Sequence, residues 1–538
     1  MILKIDPFMM ALALLGDETL TENLLQEIIS QLRSQKFGVT EEDIVLVQKK
    51  LENQIGVRGV RGVGITDPDQ PPWLDERKKG VAWDYWIAYK TWIRKSGFGL
   101  DVVRVLDEDT DAILAECGDP KREGPWSIKG LVMGDVQSGK TANYSGLINK
   151  AADVGYNVII LLTGVIEELR AQTQGRLDEG FSGQDSVKKL QKISAPLGVG
   201  LFNTRKPAVL TSVEKDFLKA NLEALGGIPL GTLVQSEPVL LVLKKNKFVL
   251  TALHDYLKDQ LEDDNESINL SLFLIDDEAD NASVNVKSDD TPAAINGLIR
   301  KIKNIFDKST YCAYTATPFA NVFIDPDNDD LFPDNFVYAL NTPTSYVGAA
   351  SIFLDEGAHG NHLEVIEDAE ACFPEKHSKD LQINGIPSSM EEAIRCFLIT
   401  TCIRDLRIEL LKHRSMLVNV TRFTDVQSRL SEVVKNYLYR MKDEIRQYLA
   451  HDEIWSKHEE LRILHETYIT HFDSCDISWN QIRKELSNSI ESVKVVTINQ
   501  KSSDVERLNY HHYKDTTWGR RVIAIGGLTL SRGLTLEG

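Results

Sequence analysis

The chain has 538 residues, with 61 Lys and Arg against 80 Asp and Glu, a net charge of −19. That balance excludes a histone-like or polybasic membrane-surface protein and confines any nucleic-acid contact to a local basic groove. The length suggests about three or four domains. With 42% hydrophobic residues, the chain can build cores that need no disulfide or metal staple. Its six cysteines are scattered without a C-x-x-C pair, which argues against a disulfide framework or structural zinc and for a reducing cytoplasm.

Phe8 to Leu15 is apolar but short, and it runs from Asp6 into Gly16-Asp17-Glu18 without a small-residue cleavage site. It reads as a first buried helix rather than a signal peptide. No apolar run approaches the roughly 18 residues of a membrane span. Leu24, Leu25, Ile28 and Ile29 fall at helical spacing, as do Ile44, Val45, Val47 and Leu51 after the start signal Thr40-Glu41-Glu42. Residues 1–55 therefore form an N-terminal helical region. Gly56, Gly59, Gly62 and Gly64, followed by Asp67-Pro68-Asp69-Gln70-Pro71-Pro72, read as a linker. An aromatic helix from Trp83 to Trp92 completes the segment 56–125.

From Trp126 to about Thr342, short apolar runs alternate with helical stretches: Gly130 to Met133, Val158 to Leu162, Val239 to Leu243, Leu272 to Ile275 and Tyr311 to Tyr314. Buried strands alternating with helices indicate a parallel sheet covered on both faces. This α/β domain is placed at 126–345, with a connecting segment at 346–389. A second α/β block, 390–538, contains a helix to about Leu411 and strands at Ser415 to Val420, Val493 to Ile498 and Val522 to Ile525. The charged stretch between Asp425 and Ile490 reads as a solvated helical insertion.

Gly134-Asp135-Val136-Gln137-Ser138-Gly139-Lys140-Thr141 fits G-x-x-x-x-G-K-[ST] between a strand and a helix. Glycines let backbone N–H groups converge on phosphates, and the helix start adds a favourable dipole. In that pattern Gly134, Gln137, Ser138 and Gly139 cradle the nucleotide, Lys140 reaches the β- and γ-phosphates, and Thr141 holds Mg²⁺. The strand Leu272 to Ile275 runs into Asp276-Asp277-Glu278-Ala279-Asp280. A carboxylate at such a strand tip holds the metal and the next glutamate polarises the attacking water, so Asp277 is expected as the metal residue and Glu278 as the base. Asp276 takes the metal role if the register is one residue off. Thr315-Ala316-Thr317-Pro318 follows a further strand. ATP and Mg²⁺ are the expected ligands.

These three motifs, in this order, resemble the helicase and translocase ATPases of superfamily two, with their phosphate loop, D-E-A-D box and T-A-T motif. Ser415 to Thr424 is similar to the strand and loop that open that superfamily's second motor domain. Gly526 to Gly538 is similar to its fifth motif. The wording of Val136-Gln137-Ser138-Gly139-Lys140-Thr141, Leu162-Thr163-Gly164, Thr315 to Asn321 and Leu530-Ser531-Arg532-Gly533-Leu534-Thr535-Leu536-Glu537-Gly538 resembles the bacterial Z1-domain ATPases over about residues 126–538. The resemblance implies two RecA-like P-loop NTPase domains whose cleft closes on ATP, with Thr315, Thr317, Arg532 and Gly533 coupling hydrolysis to movement. It also implies an arginine-finger segment following Gly538. It further implies a role in anti-phage or restriction defence, beside a GHKL-type (MutL- or MORC-like) ATPase and nuclease-like proteins.

Candidate nucleic-acid grips are Thr163 and Gly164 with Arg170 and Arg176, Lys244 and Lys245 after a strand, then Arg422 and Thr529, since basic, hydroxyl and free N–H groups suit phosphate contacts. No sequence-reading signature accompanies them, and DNA is favoured over RNA only by the defence resemblance. Asp67-Pro68-Asp69 with Glu76-Arg77-Lys78 imitates a nuclease PD…ExK motif, but its spacing leaves no room for a hairpin. Two functions therefore stand: a nucleic-acid translocase, or an ATP-gated switch for protein assembly.

Overall fold

The computed structural model describes the chain apart from residues 1–5, 17, 19, 35–38, 53–56, 137, 188–194, 218–228, 236, 262–266, 285–292, 323, 325–329, 355–358, 453, 500–507, 509, 511–512, 514–515 and 528–535. It divides into two compact units, Met1–Gly360 and Asn361–Gly538.

The first unit opens with three helices, α1 (Pro7–Leu15), α2 (Glu22–Ser34) and α3 (Glu41–Glu52). Asp6 caps α1 by accepting the Phe8 N–H, and Pro7 occupies the first helical position, where a missing donor costs nothing. Phe8, Leu12, Leu25, Ile28, Ile44 and Leu51 share one core. Phe8 to Leu15 is thus a buried helix.

The segment expected to be a linker is built into the sheet instead. Strand β1 (Val63–Thr66) pairs antiparallel with β8 (Phe336–Ala339). The glycines there serve close approach: a Cβ on Gly62 would lie 2.4 Å from the Tyr338 ring. Two helices follow, α4 (Asp84–Lys95) and α5 (Leu100–Glu116). The backbone N–H groups of Tyr85 and Trp86 at the start of α4 donate to the Asp153 carboxylate.

The sheet has eight strands in the order β1-β8-β2-β7-β6-β3-β5-β4. Its members are β2 (Trp126–Met133), β3 (Val158–Thr163), β4 (Ala208–Val209), β5 (Val239–Lys244), β6 (Ile268–Asp277) and β7 (Phe306–Thr315). Every pairing except β1 with β8 is parallel. Strand side chains alternate between two cores. Val132, Ile159, Leu161, Phe273 and Ile275 pack with helix α6 (Lys140–Val154), whereas Leu131, Ile160, Leu272 and Leu274 pack with α8 (Lys247–Lys258) and α9 (Ala294–Asn304). Helix α7 (Glu167–Leu177) follows β3. β6 and β7 are longer than their apolar runs because polar residues such as Ser271, Ser309 and Thr310 are buried in them as well.

The second unit holds a three-stranded parallel sheet, β10-β11-β9, made of β9 (Arg414–Val418), β10 (Lys494–Ile498) and β11 (Arg521–Gly526). Four helices accompany it: α10 (Ser388–Leu406), α11 (Thr424–Glu444), α12 (Glu459–Phe472) and α13 (Trp479–Glu491). The expectation of a solvated insertion between Asp425 and Ile490 is corrected here. Leu430, Val434, Leu464 and Leu486 from these helices join Leu398 of α10 and Ile523 of β11 in a single core. The charges cover only the outer faces of amphipathic helices. α10 ends at Leu406 rather than near Leu411, since Ile408 is left-handed with φ 63°. Its Asp405 accepts from Arg414 and Arg521, tying the helix to β9 and β11.

Candidate functional site

The phosphate-loop sequence joins β2 to α6. Gly139, immediately before the helix, is left-handed with φ 107°, a conformation glycine adopts without steric penalty. The Lys140 side chain curls over its own loop and donates to the carbonyls of Gly134 (3.0 Å) and Asp135 (2.9 Å). Burial holds its ammonium below the usual lysine range, against the opposing pull of Asp277 and Glu278. The loop N–H of Gly134 donates to the Thr315 carbonyl (3.1 Å). Gln137 lies outside the described residues.

β7 separates β2 from β6 in the sheet, and β6 ends on the acidic motif. Strand alternation assigns its two aspartates different surroundings. Asp276 is fully buried. One of its oxygens accepts from Lys245 (2.8 Å) and the other from Tyr311 (2.7 Å). Fully buried and with both oxygens engaged, Asp276 is less available to a metal than Asp277. Asp277 follows Ile275 on the α6 side. Among the described residues its Oδ1 accepts the Glu278 N–H (3.0 Å) alone. Desolvation first, then the Glu278 charge, pushes its carboxyl up to about 6.

Glu278 itself has φ 55°, a conformation costly for any residue but glycine that tends to mark functional turns. The Lys245 ammonium pins this turn, donating to the carbonyls of Asp277 (2.8 Å) and Glu278 (2.7 Å) besides the Asp276 carboxylate. Asp280 closes it on the other side. Its two oxygens accept from Thr315 (2.8 Å) and Thr317 (2.7 Å), and the Thr317 N–H donates to the Thr315 hydroxyl (3.0 Å). Thr315 thus touches both the acidic turn and the phosphate loop. Neither Lys245 nor Asp280 was assigned to this site from sequence. For Asp280 the fourth letter of D-E-A-D was the available signal; for Lys245 there was none.

The nucleic-acid candidates fare differently. Arg170 is fully buried and spent on Glu167 (2.6 Å) and the carbonyls of Ser212 (2.7 Å) and Val213 (2.9 Å). Lys245 is equally buried under the acidic turn. Thr163 and Gly164 are buried as well, the Thr163 hydroxyl donating to the Leu243 carbonyl (3.2 Å). These four are withdrawn as surface grips, because groups with internal partners and no exposure cannot reach a polymer backbone. Lys244 stays partly exposed while paired with Glu167 (2.7 Å). Arg422 is exposed, its guanidinium 5.1 Å from the Phe423 ring centroid. Thr529, Arg532 and Gly533 lie outside the described residues.

The residues present suit a magnesium nucleotide. A phosphate would take the Lys140 ammonium from the two loop carbonyls it now satisfies, and the left-handed loop position is a glycine. Thr141 and Asp277 offer the hydroxyl and carboxylate oxygens that a hard cation prefers.

No helix among the described residues is long and apolar enough to cross a membrane. No curated protein matches this chain. Structural similarity is found to the yeast DEAD-box splicing factor Prp28 (11% identity, 92% of this chain and 79% of that one, TM-score 0.29). Others are S. cerevisiae Dbp5 bound to RNA and ADP BeF3 (12%, 86% and 78%, 0.33) and the Pyrococcus furiosus Hef helicase domain (11%, 79% and 86%, 0.28). Similarities this low say nothing of what this chain binds. The Z1 domain family model matches residues 389–538, the second unit's sheet and helices.

Proposed function

We propose that the chain is an ATP-dependent motor of the superfamily-two type, acting on nucleic acid with DNA as the favoured track. One observation carries the reading. Asp280 ties Thr315 and Thr317 to the acidic turn, while the Thr315 carbonyl receives the phosphate loop's first N–H. A change at the phosphates is thereby transmitted to three strand ends. Lys140 would bind the β- and γ-phosphates, Glu278 would take the proton of the attacking water, and Thr141 and Asp277 would hold Mg²⁺, which screens the phosphate charge when bound. Lys244 and Arg422 remain the described candidates for backbone contact, and Thr529, Arg532 and Gly533 keep their proposed roles. The Z1 match over the second unit supports a place in a cytoplasmic bacterial defence complex, with a GHKL-type ATPase and nuclease-like partners. The domain limits at 126–345 and 390–538 belong to the same proposal. A metabolic P-loop kinase would leave that second unit unexplained.

The alternative, an ATP-gated assembly switch, is favoured by the net charge of −19 and by the burial of four of the expected grips. Steady-state ATP hydrolysis with and without single- and double-stranded DNA and RNA separates the two, with Lys140→Ala as the blank. Stimulation by one polymer, weakening with salt, supports the motor. Turnover indifferent to all of them supports the switch, and hydrolysis surviving in Lys140→Ala removes the site.

A further inference from the structure

α7 carries two arginines with opposite fates. Arg170 is spent internally, as described. Arg176, half-buried, places its Nη1 3.4 Å from the Thr141 hydroxyl, at the long limit of a hydrogen bond. Among the described residues no carboxylate lies within ion-pair distance of it. Arg170 and Lys244 pair with Glu167 and Lys245 with Asp276, while Lys140 donates to the Gly134 and Asp135 carbonyls. A guanidinium has five N–H donors and always carries its charge. One long contact to a neutral oxygen leaves most of those donors open to water or to an incoming acceptor.

The oxygen it touches is the one a nucleotide-bound metal needs. Mg²⁺ held at Thr141 would compete with the guanidinium for that hydroxyl and weaken the Arg176 contact. Lys140 would meet a bound phosphate from the loop side. Thr141 would hold Mg²⁺, so Arg176 lies beside the position where a terminal phosphate would be expected. We propose that Arg176 is a nucleotide-contacting residue that exchanges the Thr141 hydroxyl for the γ-phosphate of bound ATP. The inference rests on reading the Gly134 to Thr141 loop as an ATP site. It moves Arg176 from nucleic-acid candidate to the nucleotide, and it makes the triphosphate and diphosphate states distinguishable within the first unit alone.

The test is a binding titration, independent of turnover. A fluorescent non-hydrolysable ATP analogue and fluorescent ADP, each with Mg²⁺, are titrated into the full chain and into Arg176→Gln, Arg176→Lys and Lys140→Ala. Arg176→Gln should weaken the ATP analogue about 10- to 100-fold, as expected for a charge-assisted contact, and leave ADP nearly unchanged. Arg176→Lys, a point charge in place of the fork, should fall between. Equal losses for the two nucleotides, or no loss for either, overturn the assignment. If Arg176→Gln does not fold, the analogue-to-ADP ratio of Arg176→Lys decides in the same way. If Lys140→Ala binds like wild type, the loop reading has failed and this proposal falls with it. A wild-type-like ratio at Arg176 with Lys140→Ala inactive sinks this proposal alone.

Discussion

Replacing Lys245 with methionine tests whether the acidic turn is held from beneath. The ammonium is buried with the Asp276 carboxylate at 2.8 Å and also satisfies the carbonyls of Asp277 and Glu278. Removing one partner of a buried ion pair leaves an uncompensated charge and costs about 3–5 kcal/mol. Lys245→Met should therefore destabilise the first unit by about 3–5 kcal/mol. Adding Asp276→Leu removes the stranded charge and leaves neutral groups short of a partner, the Tyr311 hydroxyl and the Asp277 and Glu278 carbonyls, so the double variant should regain part of the loss. Its ATP turnover should stay low, because the Glu278 carbonyl has still lost its donor. Hydrogen exchange of the β5 and β6 amides isolates the effect to this unit. A loss under about 1 kcal/mol in Lys245→Met, or a double variant less stable than the single, would refute the clamp. So would a double variant with wild-type turnover.

Glu278→Gln should bind ATP with near wild-type affinity while turnover falls by about 10²–10⁴; persisting hydrolysis would place the base elsewhere. Asp277 gives a pH signature. Its carboxyl is raised to about 6 from 3.8, so the fold favours the protonated form, and this residue's contribution to stability declines as pH rises from about 4 to 6. Metal binding needs the ionised form. Mg²⁺-dependent nucleotide affinity should thus fall about tenfold per pH unit below 6, and a flat titration between pH 5 and 8 would remove Asp277 as the ligand. Leu430→Ala, in the stretch first read as solvated, should destabilise the second unit by about 2–5 kcal/mol in urea unfolding. A cost below about 0.5 kcal/mol would restore the surface reading.

The phosphate loop, the acidic motif and the strands leading to them were legible because their chemistry is local. A glycine-lysine-threonine turn after an apolar run, and carboxylates at a strand end, need no distant partner to be recognised. The parallel sheet was legible too, since strands buried on both faces read as unbroken apolar runs. β1 was not, because four exposed residues beside glycines carry no strand pattern, and only pairing with β8 makes them one. The helices from Thr424 to Glu491 look solvated for a related reason: charge density reports the outer face, and burial of the inner face depends on α10 and β11. The largest difference concerns the basic residues. Lys244, Lys245, Arg170 and Arg176 are alike in sequence, as strand-end or helix-borne cations. Tertiary structure gives Lys245 to Asp276, Arg170 to Glu167, and leaves Arg176 facing Thr141. Which carboxylate a cation meets is set by strand order and register across more than thirty residues of chain for Lys245, and no local pattern encodes that.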